Sequence, residues 1–298
     1  MGNIVDKEVN LDIYDVISSA TKSNWERLGK NSRKDRLTSR ANKRFSAKLI
    51  IPKESFDDLS NVERVEEIVN LAKENGYKID EVLFSLGIKL FSQHKVSDFA
   101  LTYMKSRYSL NTLERIYNLD LPKESDLLGL VYQCMQTEGE KNKKGSYYTP
   151  RAVVLNMVSD IKLRANDKVL DPCCGAGIFL LNIPEIRPEH IHGIDLDPIA
   201  VMISRFNYFI KFPHTHQSPK IYEASFLEKE SLFTDDGYRT NIIRNTFEYI
   251  ITNPPWGGVN DGCSYRSANV KSGEIFSYFI EKSYNTLSDG GMMRFLLP

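Results

Sequence analysis

The chain has 298 residues, of which 41% are hydrophobic and 26% charged, enough for two modest domains or one large one. Thirty-nine basic residues balance 39 acidic ones, which argues against an unaided grip on a polyanion over a large surface but leaves room for a local basic patch. No run of 18 apolar residues exists, so no membrane helix is expected, and the polar, acidic start MGNIVDKEVNLDIYD is not a secretory signal; the chain reads as cytoplasmic.

Residues 1–21 read as an arm or a short helix. Residues 22–53 are distinctly basic: Lys22, Arg27, Lys30, Arg33, Lys34, Arg36, Arg40, Lys43, Arg44, Lys48 and Lys53 stand against Glu26 and Asp35. Such a run is either a solvated surface or an arm that touches phosphates or another subunit. From about Ser60 the period becomes helical. NVERVEEIVNLAKENG puts Val62, Val65, Ile68, Val69 and Ala72 on one stripe and ends on Gly76, which suits a C-terminal cap. DEVLFSLGIKLFSQH and DFALTYMKSRYSL continue the period, LERIYNLDL adds a short segment, and DLLGLVYQCMQ (126–136) is a further apolar helix. Residues 1–124 therefore read as an α-helical N-terminal domain with a basic arm.

A polar linker, TEGEKNKKGS, follows, and then short apolar strands alternate with helices. The strands are KVLDP, IHGIDLD, KIYEASF, FEYIITNPP and GMMRFLLP; the helices between them include PIAVMISRFNYFIKF and EIFSYFIEKSYNTL. Alternation of this kind predicts an α/β domain over 125–298, with a doubly wound, mostly parallel sheet. Strands that read as unbroken apolar runs fit a sheet covered on both faces.

In KVLDPCCGAGIFL a strand passes through a turn with Gly175 and Gly177 into a helix start. Glycines there let the backbone reach φ > 0 and approach a ligand closely, and the helix start presents free N–H groups. Taken alone, a G-x-G is also a tight turn in any α/β protein. It is not the dinucleotide fingerprint, because Leu180 stands where a third glycine is needed, and no Gly-Lys-Ser/Thr of a P-loop follows. About 20 residues further on, the second strand ends with Asp195 and Asp197; an acidic group at that place can accept both hydroxyls of a ribose. A glycine loop plus an acidic strand end is a nucleoside site with no pyrophosphate requirement.

EYIITNPPWGG is the most informative segment. Two consecutive prolines cannot continue a sheet, so the strand must end at Asn253. Asn253 offers a carbonyl acceptor, Pro254 and Pro255 have no N–H of their own, and Trp256 offers a flat π-face. A planar group bearing an amine could stack on Trp256 and donate one N–H to Asn253 and the other to the Pro254 carbonyl. Metal chemistry is not expected: Cys134, Cys173, Cys174 and Cys263 form no C-x-x-C pair, and the pairs His190/His192 and His214/His216 lack matching ligands.

Together these segments resemble the gamma class of N6-adenine DNA methyltransferases, such as the modification subunits of type I restriction systems. KKGSYYTPRAVVLNMV looks like that family's N-terminal cofactor motif, DPCCGAG its cofactor loop, GIDLDP its ribose-binding strand end, NPPW its catalytic tetrapeptide and LSDGGMMRFLLP its fifth strand, in order and spacing over 125–298. The resemblance implies a sheet of the S-adenosylmethionine-dependent methyltransferase type and S-adenosyl-L-methionine as cofactor. It further implies that Tyr148, Thr149 and Pro150 line the methionine end, that Asp171, Cys173, Gly175 and Gly177 form the floor, that Asp195 binds the ribose, and that Ile199 touches the cofactor's adenine. Asn253, Pro254, Pro255 and Trp256 would hold the target base. The implied activity is methylation of adenine N6 in DNA within a restriction-modification or related defence system.

Two departures qualify the resemblance. The third strand end usually carries an Asp that reads the cofactor's amino group, and here Ser225 stands there, an uncharged acceptor that implies weaker cofactor binding. The family's last two strands and its target recognition domain are missing up to Pro298, so the catalytic domain reads as C-terminally incomplete. The expected partners are DNA and a specificity or complementing subunit covering an edge that includes Phe295, Leu296 and Leu297. Two alternatives stay open: a non-catalytic or split methyltransferase-fold subunit that needs a partner chain, and a methyltransferase for protein glutamine or RNA, since an amide and an exocyclic amine look alike to NPPW.

Overall fold

The computed structural model describes residues 55–136, 149–227, 232–235, 238–241, 246–258, 265, 270 and 273–297. The arm at 1–21, the basic segment 22–53, the linker with Tyr148, and Cys263 lie outside the described residues.

Ahead of the sheet the described residues form α1 (Val62–Glu74), α2 (Ile79–Gln93), α3 (Asp98–Arg107), the single turn α4 (Glu114–Tyr117), α5 (Leu127–Met135) and α6 (Arg151–Val158). In α1 four members of the expected stripe are buried, Val65, Ile68, Val69 and Ala72, while Val62 at its start is half-buried. Gly76 ends it at φ +62, where the Tyr77 N–H reaches the Ala72 carbonyl at 3.0 Å, a left-handed cap that glycine adopts without steric cost.

After these helices come β1 (Val169–Asp171), α7 (Ile178–Asn182), β2 (Ile191–Asp195), α8 (Pro198–Lys211) and β3 (Ile221–Glu223). A hairpin of β4 (Leu232–Asp235) and β5 (Tyr238–Asn241) follows, then β6 (Phe247–Thr252), α9 (Ile275–Thr286) and β7 (Leu287–Phe295). The main sheet has the order β3-β2-β1-β6-β7 with every neighbouring pair parallel. The chain thus winds outward from β1 in one direction through β2 and β3, and returns to the other side of β1 with β6. The crevice where strand order reverses lies at the carboxyl ends of β1 and β6, the usual place for a ligand in such sheets. The expected fold class, an α/β doubly wound parallel sheet preceded by helices, is the one observed.

Each face of the sheet has its own apolar cluster, because successive strand residues point to opposite sides. Val169 and Ile251 join a large cluster; their neighbours Leu170 and Ile250 join a smaller one with Ile194, Phe226, Phe247 and Phe279 of α9. The large cluster is shared with α1, α2, α3 and α5. At its centre Phe206 of α8 receives the edges of Phe84 and Phe91 from α2, with ring centroids 5.7 and 5.0 Å away. Phe206 is fully buried, a burial that contributes about 1.5–3 kcal/mol. Gly87 permits the approach of α2: a Cβ there would lie 2.5 Å from the Phe206 ring.

The structure corrects two boundaries and adds one hairpin. β3 is three residues long, and the rest of KIYEASF turns away after Glu223. The β4–β5 hairpin was not expected. The fifth strand of the sheet begins at Leu287 rather than Gly291, because Phe247 opposes Leu287 while Tyr249 opposes Met292. That bulge absorbs Ser288–Gly291, with Gly290 at φ +74 and no room at Gly291, where a Cβ would lie 2.9 Å from the Ser288 carbonyl. Among the described residues β7 pairs only with β6, and Met292 and Leu297 are exposed.

Candidate active site at the carboxyl edge of the sheet

β1 delivers Asp171 to the crevice as its last residue, fully buried. Its Oδ1 accepts the Cys173 N–H at 3.1 Å and the Thr252 hydroxyl at 2.7 Å. Its Oδ2 has no hydrogen-bond partner among the described residues. Burial, helped by the charge of Asp195, raises the Asp171 carboxyl to about 7, because the low-dielectric surroundings disfavour its charged form. Cys173 Sγ lies 2.9 Å from Thr252 Oγ1 and 3.5 Å from the Asn253 carbonyl. Burial pushes this thiol up as well, so it stays protonated and donates. Asp171, Thr252 and Cys173 therefore tie the tip of β6 to the end of β1.

The glycine loop bends where the sequence places its glycines. Gly175 stands at φ +52 and Gly177 at φ +82, both in the left-handed region that disfavours side chains. The space beside Gly175 is open, with nothing within 4 Å of an added Cβ, whereas a Cβ at Gly177 would lie 2.5 Å from Ser204 Oγ. The Gly175 N–H donates to Asp195 Oδ2 at 2.8 Å, and the Asp197 N–H donates to Asp195 Oδ1 at 2.9 Å. Burial holds the Asp195 carboxyl above its ordinary range. Asp197 starts α8, accepting the Ile199 N–H at 3.1 Å, with Pro198 at the first helical position, where its missing N–H costs nothing. Ile199 is half-buried against the large cluster. Ser225 follows β3, half-buried, next to Ala224, whose N–H donates to the Asp195 carbonyl at 2.8 Å.

Asn253 sits immediately past β6. Its Nδ2 donates to Thr149 Oγ1 at 3.2 Å, and its Oδ1 is buried with no partner among the described residues. Thr149 is buried, and Pro150 beside it begins α6. Pro254 is buried, Pro255 half-buried, and Trp256 is 37% exposed. Gly257 at φ +115 turns the chain away, and its carbonyl accepts the Ile275 N–H at 2.8 Å.

One hydrogen-bonded group thus joins Thr149, Asp171, Cys173 and Asn253, a second joins Gly175 to Asp195, and Ile199, Ser225 and Trp256 lie along the same edge. Tyr148 lies outside the described residues. Sequence reasoning missed Thr252, although a polar residue closing the apolar run FEYII was a usable signal. It also missed Asp126 and Tyr132 of the α5 region and Asn207 of α8, whose apolar neighbours made the segments read as plain core. His190 and His192 lie at the opposite, amino end of β2, and burial lowers His192 to about 3, which keeps it neutral. Among the described residues no three His, Cys, Asp or Glu side chains are grouped to hold a metal, and no helix is long and apolar enough to cross a membrane.

The family described as N-6 DNA Methylase matches residues 123–288, more than half of the chain. The chain is 26% identical over 220 residues to the Type II methyltransferase M.VspI of Vibrio sp. (strain 343), covering 70% of this chain and 51% of that protein. It is 25% identical over 221 residues to the Type I restriction enzyme EcoEI methylase subunit of Escherichia coli, covering 67% of this chain and 42% of the relative. A solved methyltransferase subunit of a type I restriction-modification system from Streptococcus thermophilus superimposes with a TM-score of 0.43 at 16% identity, covering 92% of this chain and 61% of that one. The chain spans about half the length, or less, of these two curated relatives. The chain belongs to the N-6 DNA methylase family.

Proposed function

We propose that this chain binds S-adenosyl-L-methionine across the carboxyl ends of β1 and β2 and methylates N6 of an adenine flipped out of DNA. The observation that carries this reading is Asn253 Oδ1, a buried acceptor at the tip of β6 without a donor among the described residues. A buried carbonyl left unpaired is costly unless a ligand supplies its hydrogen bond. The cofactor also fits the residues present. Asp171 Oδ2 is a second buried acceptor without a donor among the described residues, suited to an ammonium group, and the open side of Gly175 leaves the backbone approachable.

When bound, the cofactor's sulfonium supplies the methyl group. Asn253 Oδ1 and the Pro254 carbonyl accept the two N–H groups of the target amine. These bonds draw the nitrogen lone pair out of conjugation with the ring and stabilise the positive charge that develops on nitrogen during transfer. The methylated nitrogen then gives one proton to water, so no side chain has to act as a base during attack. Trp256 replaces stacking that the adenine loses on leaving the duplex. The Asp171–Thr252–Cys173 contacts hold this tip in register with the cofactor floor, and positioning of that kind supplies much of the acceleration. Ser225 offers its hydroxyl to the cofactor's adenine in place of a carboxylate.

Kinship with named restriction methylases supports reading the chain as part of a restriction-modification system, cytoplasmic, and paired with a second subunit that reads the DNA sequence. The test is transfer of labelled methyl groups to adenine-containing duplexes, by the full chain alone and with the product of the adjacent downstream reading frame. Asn253→Ala is expected to lower transfer at least about 100-fold while S-adenosylhomocysteine affinity stays within about twofold. Substantial activity in Asn253→Ala would overturn the assignment, and transfer to a protein glutamine or RNA in preference to DNA would replace the substrate.

A further inference from the structure

α5 is apolar along most of its length, yet it brings two polar groups into the core. Asp126 caps its start: Oδ1 accepts the Gly129 N–H at 3.0 Å and an Asn207 Nδ2 hydrogen at 2.9 Å. The same Asn207 nitrogen donates to the Ala176 carbonyl, inside the glycine loop, at 3.1 Å. Further along the helix the Tyr132 hydroxyl donates to Asp197 Oδ2. From Asp197 the path continues through its N–H to Asp195 and on to the Gly175 N–H. Two hydrogen-bond chains therefore leave one helix and end on adjacent residues of the same loop, one at the Gly175 amide and the other at the Ala176 carbonyl.

The chemistry of these groups is costly for a plain core helix. Asp126 and Tyr132 are almost fully buried, and a buried polar group is tolerated when it is hydrogen-bonded. Burial and the Asp197 carboxylate both raise the Tyr132 hydroxyl, so it remains a donor at any working pH. Asp195 and Asp197 lie two residues apart with repelling charges, and Asp197 is one of the groups that raise Asp195. A donor fixed on Asp197 offsets that repulsion. Gly129 is shaped to the arrangement, since a Cβ there would lie 2.2 Å from Asp126 Oδ2.

We propose that Tyr132 and the Asp126–Asn207 pair are positioning residues for the cofactor, through which α5 sets the spacing between the Asp195 turn and the glycine loop. The ligand half of this proposal rests on the reading of the site as an S-adenosylmethionine site; the spacing half concerns the protein alone.

The experiment compares the full chain with Tyr132→Phe, Asn207→Ala and Tyr208→Phe. Tyr208 is the control, a buried tyrosine on α8 whose hydroxyl donates to the Gln217 carbonyl at 3.3 Å and belongs to neither chain. Calorimetry measures S-adenosylhomocysteine binding, and hydrogen exchange of the 172–178 peptide is followed without ligand. Tyr132→Phe and Asn207→Ala are expected to weaken binding about tenfold and to speed exchange of that peptide, with a melting temperature within about 3 °C of Tyr208→Phe. Binding and exchange no different from the control would overturn the proposal. If the unaltered chain binds no cofactor yet Tyr132→Phe still speeds exchange, the spacing role stands and the S-adenosylmethionine reading falls. Should Tyr132→Phe not fold, Asn207→Ala decides the same question from the second chain.

Discussion

Two places along the carboxyl edge of the same sheet are finished differently. At Asp195 both carboxylate oxygens accept backbone N–H groups, one of them from the glycine loop, and α5 reaches that loop by two routes. In the Asn253 side chain only the amide nitrogen has a partner, Oδ1 has none among the described residues, and Trp256 is partly exposed. The first place is preorganised by the protein's own hydrogen bonds. The second leaves a hydrogen bond for a guest to complete. Such a division suits a proposed enzyme that meets the same cofactor in every cycle but must draw a base out of a stack and release it.

The largest effect expected from breaking this contrast is at the preorganised place. Gly177→Ala places a Cβ 2.5 Å from Ser204 Oγ on a residue held at φ +82. Left-handed strain costs about 1–2 kcal/mol, and the overlap adds about 1–3 kcal/mol. Calorimetry should find S-adenosylhomocysteine binding abolished, and denaturant unfolding should show the lost stability.

The next effect is the pH dependence created by burying carboxyls there. Burial raises Asp126 from 3.8 to about 6 and Asp171 to about 7. A carboxyl whose folded value is raised keeps its proton in the folded state at pH values where the unfolded chain has lost it. Its contribution is therefore fully present below about pH 4 and is lost as pH rises through the folded value. At 1.36 kcal/mol per pH unit, the rise at Asp126 corresponds to about 3 kcal/mol. Urea unfolding of the ligand-free chain should show this loss between about pH 4 and 7, offset in part by His192, which is kept neutral by burial and adds stability as pH rises toward its unfolded value. Asp126→Asn should remove the part that falls below about pH 6, and saturating S-adenosylhomocysteine should flatten the part due to Asp171.

At the place left open the effects are smaller. Trp256→Ala should weaken binding of a duplex carrying a mispaired, easily flipped adenine by about 1–3 kcal/mol, with cofactor affinity unchanged; fluorescence anisotropy and calorimetry read the two separately. Loss of cofactor binding in that variant would place Trp256 on the wrong side of the contrast. The smallest expected effect is a gain. Ser225→Asp should tighten S-adenosylmethionine about threefold to tenfold, since a charged acceptor is stronger than a neutral one.

Much of this organisation was legible in the sequence because its signals are local. Gly175 and Gly177 announce a turn that other residues resist, Pro254 and Pro255 end β6 by lacking N–H groups, and Asp197-Pro198 opens α8. The stripe of α1 and its Gly76 cap were equally plain. Less legible were features set by pairing across distance. The Thr252 hydroxyl reaches Asp171 across 81 positions, and the bulge in β7 depends on which residues of β6 it faces. Asp126, Tyr132 and Asn207 looked like ordinary members of apolar helices, because nothing near them in sequence reveals where their hydrogen bonds go.

By itself the sequence determined the alternation of strands and helices, the bend at the glycine loop and the stop at NPPW, since backbone sterics and hydrophobic period act over a few residues. Only the tertiary structure decided that the first helices share one core with the sheet, that hydrogen bonds run from α5 to the glycine loop, and that Asn253 Oδ1 has no partner among the described residues. Those outcomes depend on which buried polar groups meet, and meeting is a property of the packed chain.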